Sequence, residues 1–400
     1  MTRTTDSAGA GRTAAPPSIA LRWTRAWAAA ATLALCGAAA PSEADDSREI
    51  LSIDHYVLHA STVPAIAGQT AHLYVRERVS AGTLARSAGF DERVVLFVHG
   101  AGTPAEVAFD VPYGDYSWMA YLAAAGYDVF SMDMTGYGRS TRPTAMNDPC
   151  NLAPEQQQAL VPELLDSPCT PSVAGELTTI ASDWDDIDAV VEYLRALRGV
   201  DQVALIGWSL GGPRAGGYAA KHPDKVSTIV LLAPAYARDM PAAPPASAGD
   251  GAAFTIQSHA DFTANWDRQV GCADQYEPAA ASAVWFEMLA SDPVGATWGA
   301  GVRRAPRTAV WGWNQAAVAG TRTPMLLVAA AHDAQIAPDR VRMLYDDLGA
   351  DRKVLIDLGC ASHNAMWERV HTALFDASLE WLRSGTVGGM SLGVVRLGYE

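Results

Sequence analysis

Six short, predominantly apolar runs, each cut off by a loop, set the strongest limit on how this chain folds: Val94–Val98, Tyr127–Met132, Gln202–Gly207, Val226–Leu232, Met325–Ala330 and Val354–Leu358. A strand with one wet face alternates apolar and polar residues. A run without that alternation belongs to a strand covered on both sides, as in a parallel sheet lying between helices. The intervening segments supply the helices. Ile187, Val190, Val191 and Leu194 recur at helical spacing, behind Asp183, Asp185 and Asp186, whose charges favour a helix N-terminus. Trp118 to Ala125, Pro213 to Lys221, a segment near Val341 to Leu348 and a final stretch from Trp367 to Leu382 also read as helical. Tyr74-Val75-Arg76-Glu77-Arg78-Val79 alternates and predicts an edge hairpin ahead of the parallel strands. The expected class is therefore α/β.

Two stretches break the rhythm. Residues 141–180 carry six prolines and two cysteines, a composition suited to an excursion over the surface. Residues 235–323 open with a Pro/Ala/Gly stretch and hold five of the twelve tryptophans: Trp266, Trp285, Trp298, Trp311 and Trp313. These predict a cap, whose tryptophans serve packing before ligand contact, with a weaker hint of apolar or aromatic substrate groups. The expected organisation is residues 1–44 as a signal peptide, 45–234 as the first part of the core with its 141–180 insertion, 235–323 as a cap or lid, and 324–400 as the second part of the core.

The signal-peptide reading rests on Arg22 and Arg25 preceding an apolar, small-residue run from Ala26 to Ala40, too short to span a bilayer comfortably. It predicts a secreted or periplasmic protein with no stable membrane span after processing. An uncleaved anchor helix is the alternative, and Leu33-Ala34-Leu35-Cys36 approximates a lipoprotein box in which Leu35 is too large. Loss of Cys36 leaves Cys150, Cys169, Cys272 and Cys360, an even number suited to disulfides in an oxidising compartment. Of the three pairings, Cys150 with Cys169 closes a local loop and leaves Cys272 for Cys360. The formal net charge of −15 repels phosphate backbones, and no basic stripe with interleaved aromatics offsets it, so nucleic acid is excluded as a partner.

Chemistry concentrates around Gly207-Trp208-Ser209-Leu210-Gly211, which follows an apolar strand and precedes a helix opening with Gly212-Pro213. A sharp strand-to-helix turn needs glycines around a strained serine, the geometry of a nucleophile elbow. A serine hydroxyl needs a base to take its proton and a carboxylate to orient that base. Asp333 and His363 each lie just beyond an apolar strand, in the chain order Ser, acid, His. Asp239 competes for the acid's place, while His99 and His332 read as structural. Backbone N–H groups of Ala101 and Leu210 are the expected oxyanion donors. No cofactor or metal is expected.

With His99-Gly100-Ala101-Gly102, Asp133-Met134-Thr135-Gly136-Tyr137-Gly138-Arg139-Ser140, the elbow, Asp333 and His363 in place, the chain resembles serine hydrolases of the α/β-hydrolase superfamily, of esterase or lipase type with a cap. The resemblance covers roughly residues 90–235 and 324–383. It implies an α/β-hydrolase fold: a mostly parallel eight-stranded sheet with helices on both faces and a cap inserted after the sixth strand. Haloalkane dehalogenases and epoxide hydrolases look similar but use an aspartate nucleophile, which Ser209 argues against. The expected activity is cleavage of a small carboxylic ester or related acyl substrate through an acyl-enzyme. Acyl transfer, amide, lactone or carbon-carbon cleavage with the same triad, and a noncatalytic binding protein of this fold, are the competing readings.

Overall fold

In β3 (Val94–Val98) the side chains of Val95 and Phe97 enter one buried cluster and those of Val94, Leu96 and Val98 another. Successive strand residues point to opposite faces, so both faces of this strand are covered. That arrangement explains why its sequence shows no polar alternation. The protein is described from a computed structural model over residues 48–86, 89–246, 249 and 251–399. The expected signal segment 1–44, with Cys36, lies outside the described residues.

The main sheet has nine strands: β1 (Ile50–Ala60), β2 (Thr70–Ser80), β3, β4 (Asp128–Met132), β5 (Val203–Trp208), β6 (Val226–Leu232), β7 (Met325–Ala330), β8 (Lys353–Leu358) and β9 (Leu392–Leu397). Their order across the sheet is β1-β2-β4-β3-β5-β6-β7-β8-β9. Only the β1–β2 and β2–β4 pairs are antiparallel; the remaining neighbours run parallel. The count is one above the eight implied by the family resemblance. The extra strand, β9, pairs in parallel with β8 from Lys353↔Leu392 to Leu358↔Leu397.

Among the described residues the seven longest α-helices are α1 (Trp118–Ala124), α2 (Ile180–Arg198), α3 (Gly211–Lys221), α4 (His259–Asp267), α5 (Pro278–Ala290), α6 (Pro338–Asp347) and α7 (His371–Ser384). One face of the sheet packs against Trp118 and Leu122 of α1 and Phe375 and Trp381 of α7. The other packs against α2, α3 and α6 through residues such as Ile187, Tyr218 and Leu344. Each fully buried side chain of this size contributes on the order of 1.5–3 kcal/mol. The capping box of Thr179 and Ser182 opens α2, and Gly199 at φ +67° closes it.

The 141–180 insertion departs from a plain surface excursion. Met146, Leu152, Leu160 and Leu177 join Ala253, Phe254, Trp298 and Val302 in a third small core, so the insertion packs against the 235–323 segment. Within that segment Phe254–Ser258 pairs antiparallel with Val302–Pro306. The final helix also starts later than its apolar pattern predicts. Ala365–Trp367 is a 3-10 turn, and Glu368 is extended at φ −106°, ψ 164°, bridging to Tyr276, before α7 begins at His371.

Candidate active site

Ser209 occupies the turn between β5 and α3 with φ at +57°, a conformation that side chains rarely adopt and that must be held by its surroundings. The turn is pinned on both sides. The Ser209 N–H donates to the Leu232 carbonyl at 3.0 Å, and the Ser209 carbonyl accepts from the N–H groups of Gly212 and Ala235, both at 2.9 Å. Gly211 is required by close approach, because a Cβ there would lie 2.4 Å from the Val98 carbonyl oxygen. Gly100 is required for the same reason: its Cβ would lie 2.8 Å from that of Ser209. The loop after β3 is therefore seated directly against the serine.

Ala101 and Leu210 both border a cavity of about 390 Å3. Among the described residues neither of their N–H groups donates a hydrogen bond, which leaves two backbone donors free beside Ser209. The loop is braced from behind. Met134 N–H donates to His99 Nε2 at 3.1 Å, so Nδ1 carries the proton and donates to the Gly100 carbonyl at 2.7 Å. Burial and the nearby Arg214 cation push the His99 pKa well below the usual imidazole range, which keeps this ring neutral. Arg214, fully buried, donates from Nη1 to the carbonyls of His99 and Gly100, each at 3.0 Å, and from Nε to Asp183 Oδ2 at 2.7 Å. Asp186 Oδ2 accepts from the Thr135 N–H at 2.9 Å. Asp183 and Asp186 are thus buried anchors of the site's loops, a role beyond the dipole effect that their sequence position predicts.

His363 and Asp333 meet after β8 and β7. His363 Nδ1 lies 2.8 Å from Asp333 Oδ2, and both residues are buried. Asp333 Oδ1 accepts from the N–H groups of Gln335 at 2.8 Å and Ile336 at 2.7 Å, which fixes the carboxylate. With Nδ1–H turned to Asp333, Nε2 is left as the ring's acceptor. Trp208, the residue before the serine, donates from Nε1 to the His363 carbonyl at 2.8 Å, its ring 5.3 Å from the imidazole. This side chain couples the serine turn to the histidine loop. Among the described residues the Ser209 hydroxyl makes no hydrogen bond to His363; such contacts tighten in substrate complexes. Asp239 is exposed and His332 packs over Gly271, so neither joins this arrangement.

Several supporting residues were not legible in the sequence. Buried Glu368 accepts from Trp266 Nε1 at 2.8 Å, Gln275 Nε2 at 3.0 Å, Ser362 N–H at 2.7 Å and the Ser362 hydroxyl, tying the 235–323 segment to the residue before His363. Burial raises its pKa against the opposing pull of these donors. Gln269 Oε1 accepts from the Ala334 N–H at 3.1 Å and the His363 N–H at 3.4 Å. Disulfides join Cys150 to Cys169 and Cys272 to Cys360, and the second spans the same junction. The five tryptophans of the 235–323 segment are all buried, and none borders the cavity beside Ala101 and Leu210. Arg303 does border it, a residue marked in sequence only by the Arg303-Arg304 pair.

Among the described residues no three His, Cys, Asp or Glu side chains are grouped to hold a metal ion, and no helix is long and apolar enough to cross a membrane. No curated protein matches the sequence significantly. Similar solved structures include a monoacylglycerol lipase from Paleococcus ferrophilus, 20% identical with a TM-score of 0.47, covering 78% of this chain and 99% of that one. A thermophilic esterase from Thermogutta terrifontis is 16% identical with a TM-score of 0.48, covering 82% and 98%. Naproxen esterase from Bacillus subtilis is 13% identical with a TM-score of 0.46, covering 83% and 92%. The family model described as alpha/beta hydrolase fold matches residues 93–370, the span that contains the serine turn, the His363–Asp333 pair and the loop carrying Ala101, and the chain belongs to that family.

Proposed function

We propose that the protein is an exported serine hydrolase that cleaves a carboxylic ester through an acyl-enzyme on Ser209. The observation that carries this reading is the buried 2.8 Å contact between His363 Nδ1 and Asp333 Oδ2, coupled through Trp208 to a serine at φ +57°. Ser209 Oγ attacks the ester carbonyl while its proton passes to His363 Nε2, and Asp333 stabilises the resulting imidazolium. The negative oxygen of the tetrahedral intermediate accepts from the Ala101 and Leu210 N–H groups. His363 then gives its proton to the leaving alkoxide, and water repeats the sequence to release the acid and restore Ser209.

In this reading residues 235–323 form the cap over the site and the two disulfides suit an oxidising compartment reached after removal of residues 1–44. The test is a screen of p-nitrophenyl esters of graded acyl length with the processed protein and its Ser209→Ala variant. Turnover that vanishes in the variant supports the reading. Equal rates in the two proteins, or no rate on any ester, remove it.

A further inference from the structure

In the strand Val302–Pro306, Arg303 and Arg304 point to opposite sides with opposite fates. Arg304 is buried and fully matched: Nε and Nη2 donate to the two oxygens of Asp292 at 2.9 and 2.7 Å, and Nη1 reaches the Met146 carbonyl and Asn147 Oδ1. Arg303 turns into the cavity beside Ala101 and Leu210. Its guanidinium is so close to the loop that a Cβ on Gly102 would lie 1.5 Å from Nη1. Among the described residues its one hydrogen bond runs from Nε to Gln257 Oε1 at 2.7 Å, and no carboxylate lies within ion-pair distance.

The remaining charges around this cavity are already matched. Arg307 pairs with Glu176 at 3.1 Å, and Glu176 also accepts from the Gly249 N–H at 3.0 Å. Arg142, nearby, donates to the Gly136 carbonyl at 2.9 Å and faces Asp292 at 3.7 Å. Arg303 thus holds two unused guanidinium nitrogens, Nη1 and Nη2, in a partly enclosed site of a protein with net charge −15. Burial lowers its pKa only to about 10, so the cation persists at neutral pH. A guanidinium without a carboxylate partner in a partly enclosed site is open to an anion, and its fork suits a carboxylate.

We propose that Arg303 is a specificity residue that receives an anionic group of the substrate, so that the esters best turned over carry a carboxylate on the acyl or the alcohol side of the scissile bond. This rests on the reading of Ser209 as the nucleophile. A net-negative protein would otherwise disfavour such substrates.

The test measures kcat/KM for two sets of substrates. On the acyl side, monoethyl esters of succinic, glutaric and adipic acids are compared with chain-matched neutral ethyl esters. On the alcohol side, butyrate esters of glycolic and 3-hydroxypropionic acids are compared with butyrate esters of the corresponding simple alcohols. The wild-type ratio of anionic to neutral kcat/KM should exceed about 10 in one set, as expected of a charge-assisted contact. That ratio should fall about 10- to 100-fold in Arg303→Gln and recover in part in Arg303→Lys. Because the ratio is taken within each variant, a general loss of activity cancels. A wild-type ratio near one in both sets overturns the proposal, and it does so even if Arg303→Gln does not fold. A loss in Arg303→Gln that is equal for charged and neutral esters also overturns it, by assigning Arg303 to the oxyanion common to all esters. No Ser209-dependent turnover of any ester would instead remove the underlying reading, and this inference with it.

Discussion

Replacing each disulfide separately, as Cys272→Ser with Cys360→Ser or as Cys150→Ser with Cys169→Ser, should uncouple stability from catalysis. The sequence separations are 88 and 19 residues. On the loop-closure model these correspond to about 4.6 and about 3.2 kcal/mol of stabilisation through the unfolded chain. Unfolding roughly 350 residues carries an entropy on the order of 0.7 kcal/mol/K, so the melting midpoints should fall by about 6 and about 4 °C. Catalysis should respond to only one of them. Cys360 lies three residues before His363, and the Ala361 carbonyl accepts from the His332 N–H at 2.8 Å, so the Cys272–Cys360 bond constrains the loop that carries His363. Glu368 and Gln269 still hold that loop through their own hydrogen bonds. The displacement should therefore stay well under 1 Å and cost about 3- to 10-fold in kcat, less than the roughly 100-fold of a full ångström. Calorimetry and steady-state ester kinetics below the lower midpoint measure both quantities. Equal kcat losses in the two variants, or full kcat and an unchanged midpoint without Cys272–Cys360, would show that this bond has no special hold on the His363 loop.

Four further outcomes follow from individual contacts. Asp333→Asn should lower kcat about 10^3- to 10^4-fold with little change in melting midpoint, because the amide favours the wrong imidazole tautomer; a loss under tenfold would count against Asp333 as the orienting acid. Gly100→Ala places a Cβ 2.8 Å from that of Ser209 and should cost about 100-fold or more in kcat, and wild-type kinetics in this variant would mean that the loop does not abut Ser209. Arg214→Met leaves Asp183 buried without its partner and should destabilise by about 3–5 kcal/mol in denaturant titration. His59 Nε2 lies 2.8 Å from Asp186, which raises the His59 pKa above its usual 6.5. The stability this pair contributes is fully present below pH 6.5 and lost as pH rises through the raised value. His59→Gln should flatten that part of the urea-midpoint profile, and an unchanged slope would remove the pair as its source.

The parts of this molecule that were readable from sequence are those whose requirements are local. A strand covered on both faces is apolar along most of its length, so β3, β5 and β7 announce themselves, β6 and β8 do so despite Ser227, Thr228 and Asp357, and the strand-to-helix turn at Ser209 demands its glycines. Asp333 and His363, 2.8 Å apart in the structure, stand out in sequence because each follows such a strand. By contrast, β9 reads weakly: Gly393 interrupts it and its burial alternates between exposed and partly exposed, since it closes the sheet's edge. The late start of α7 depends on Glu368, whose partners Trp266 and Gln275 are about a hundred residues away. Arg214 and Arg303 are equally silent in sequence. One is matched by Asp183 and two carbonyls and the other by a single glutamine, a contrast set entirely by long-range packing.

Intact-protein and peptide mass spectrometry after exposure to a fluorophosphonate tests directly whether Ser209 is the nucleophile. If Ser209 is the nucleophile, one adduct forms per chain, located on the peptide containing Ser209, in step with loss of esterase activity and absent in Ser209→Ala. An adduct that persists in Ser209→Ala, or no adduct on the folded wild-type protein, would contradict it.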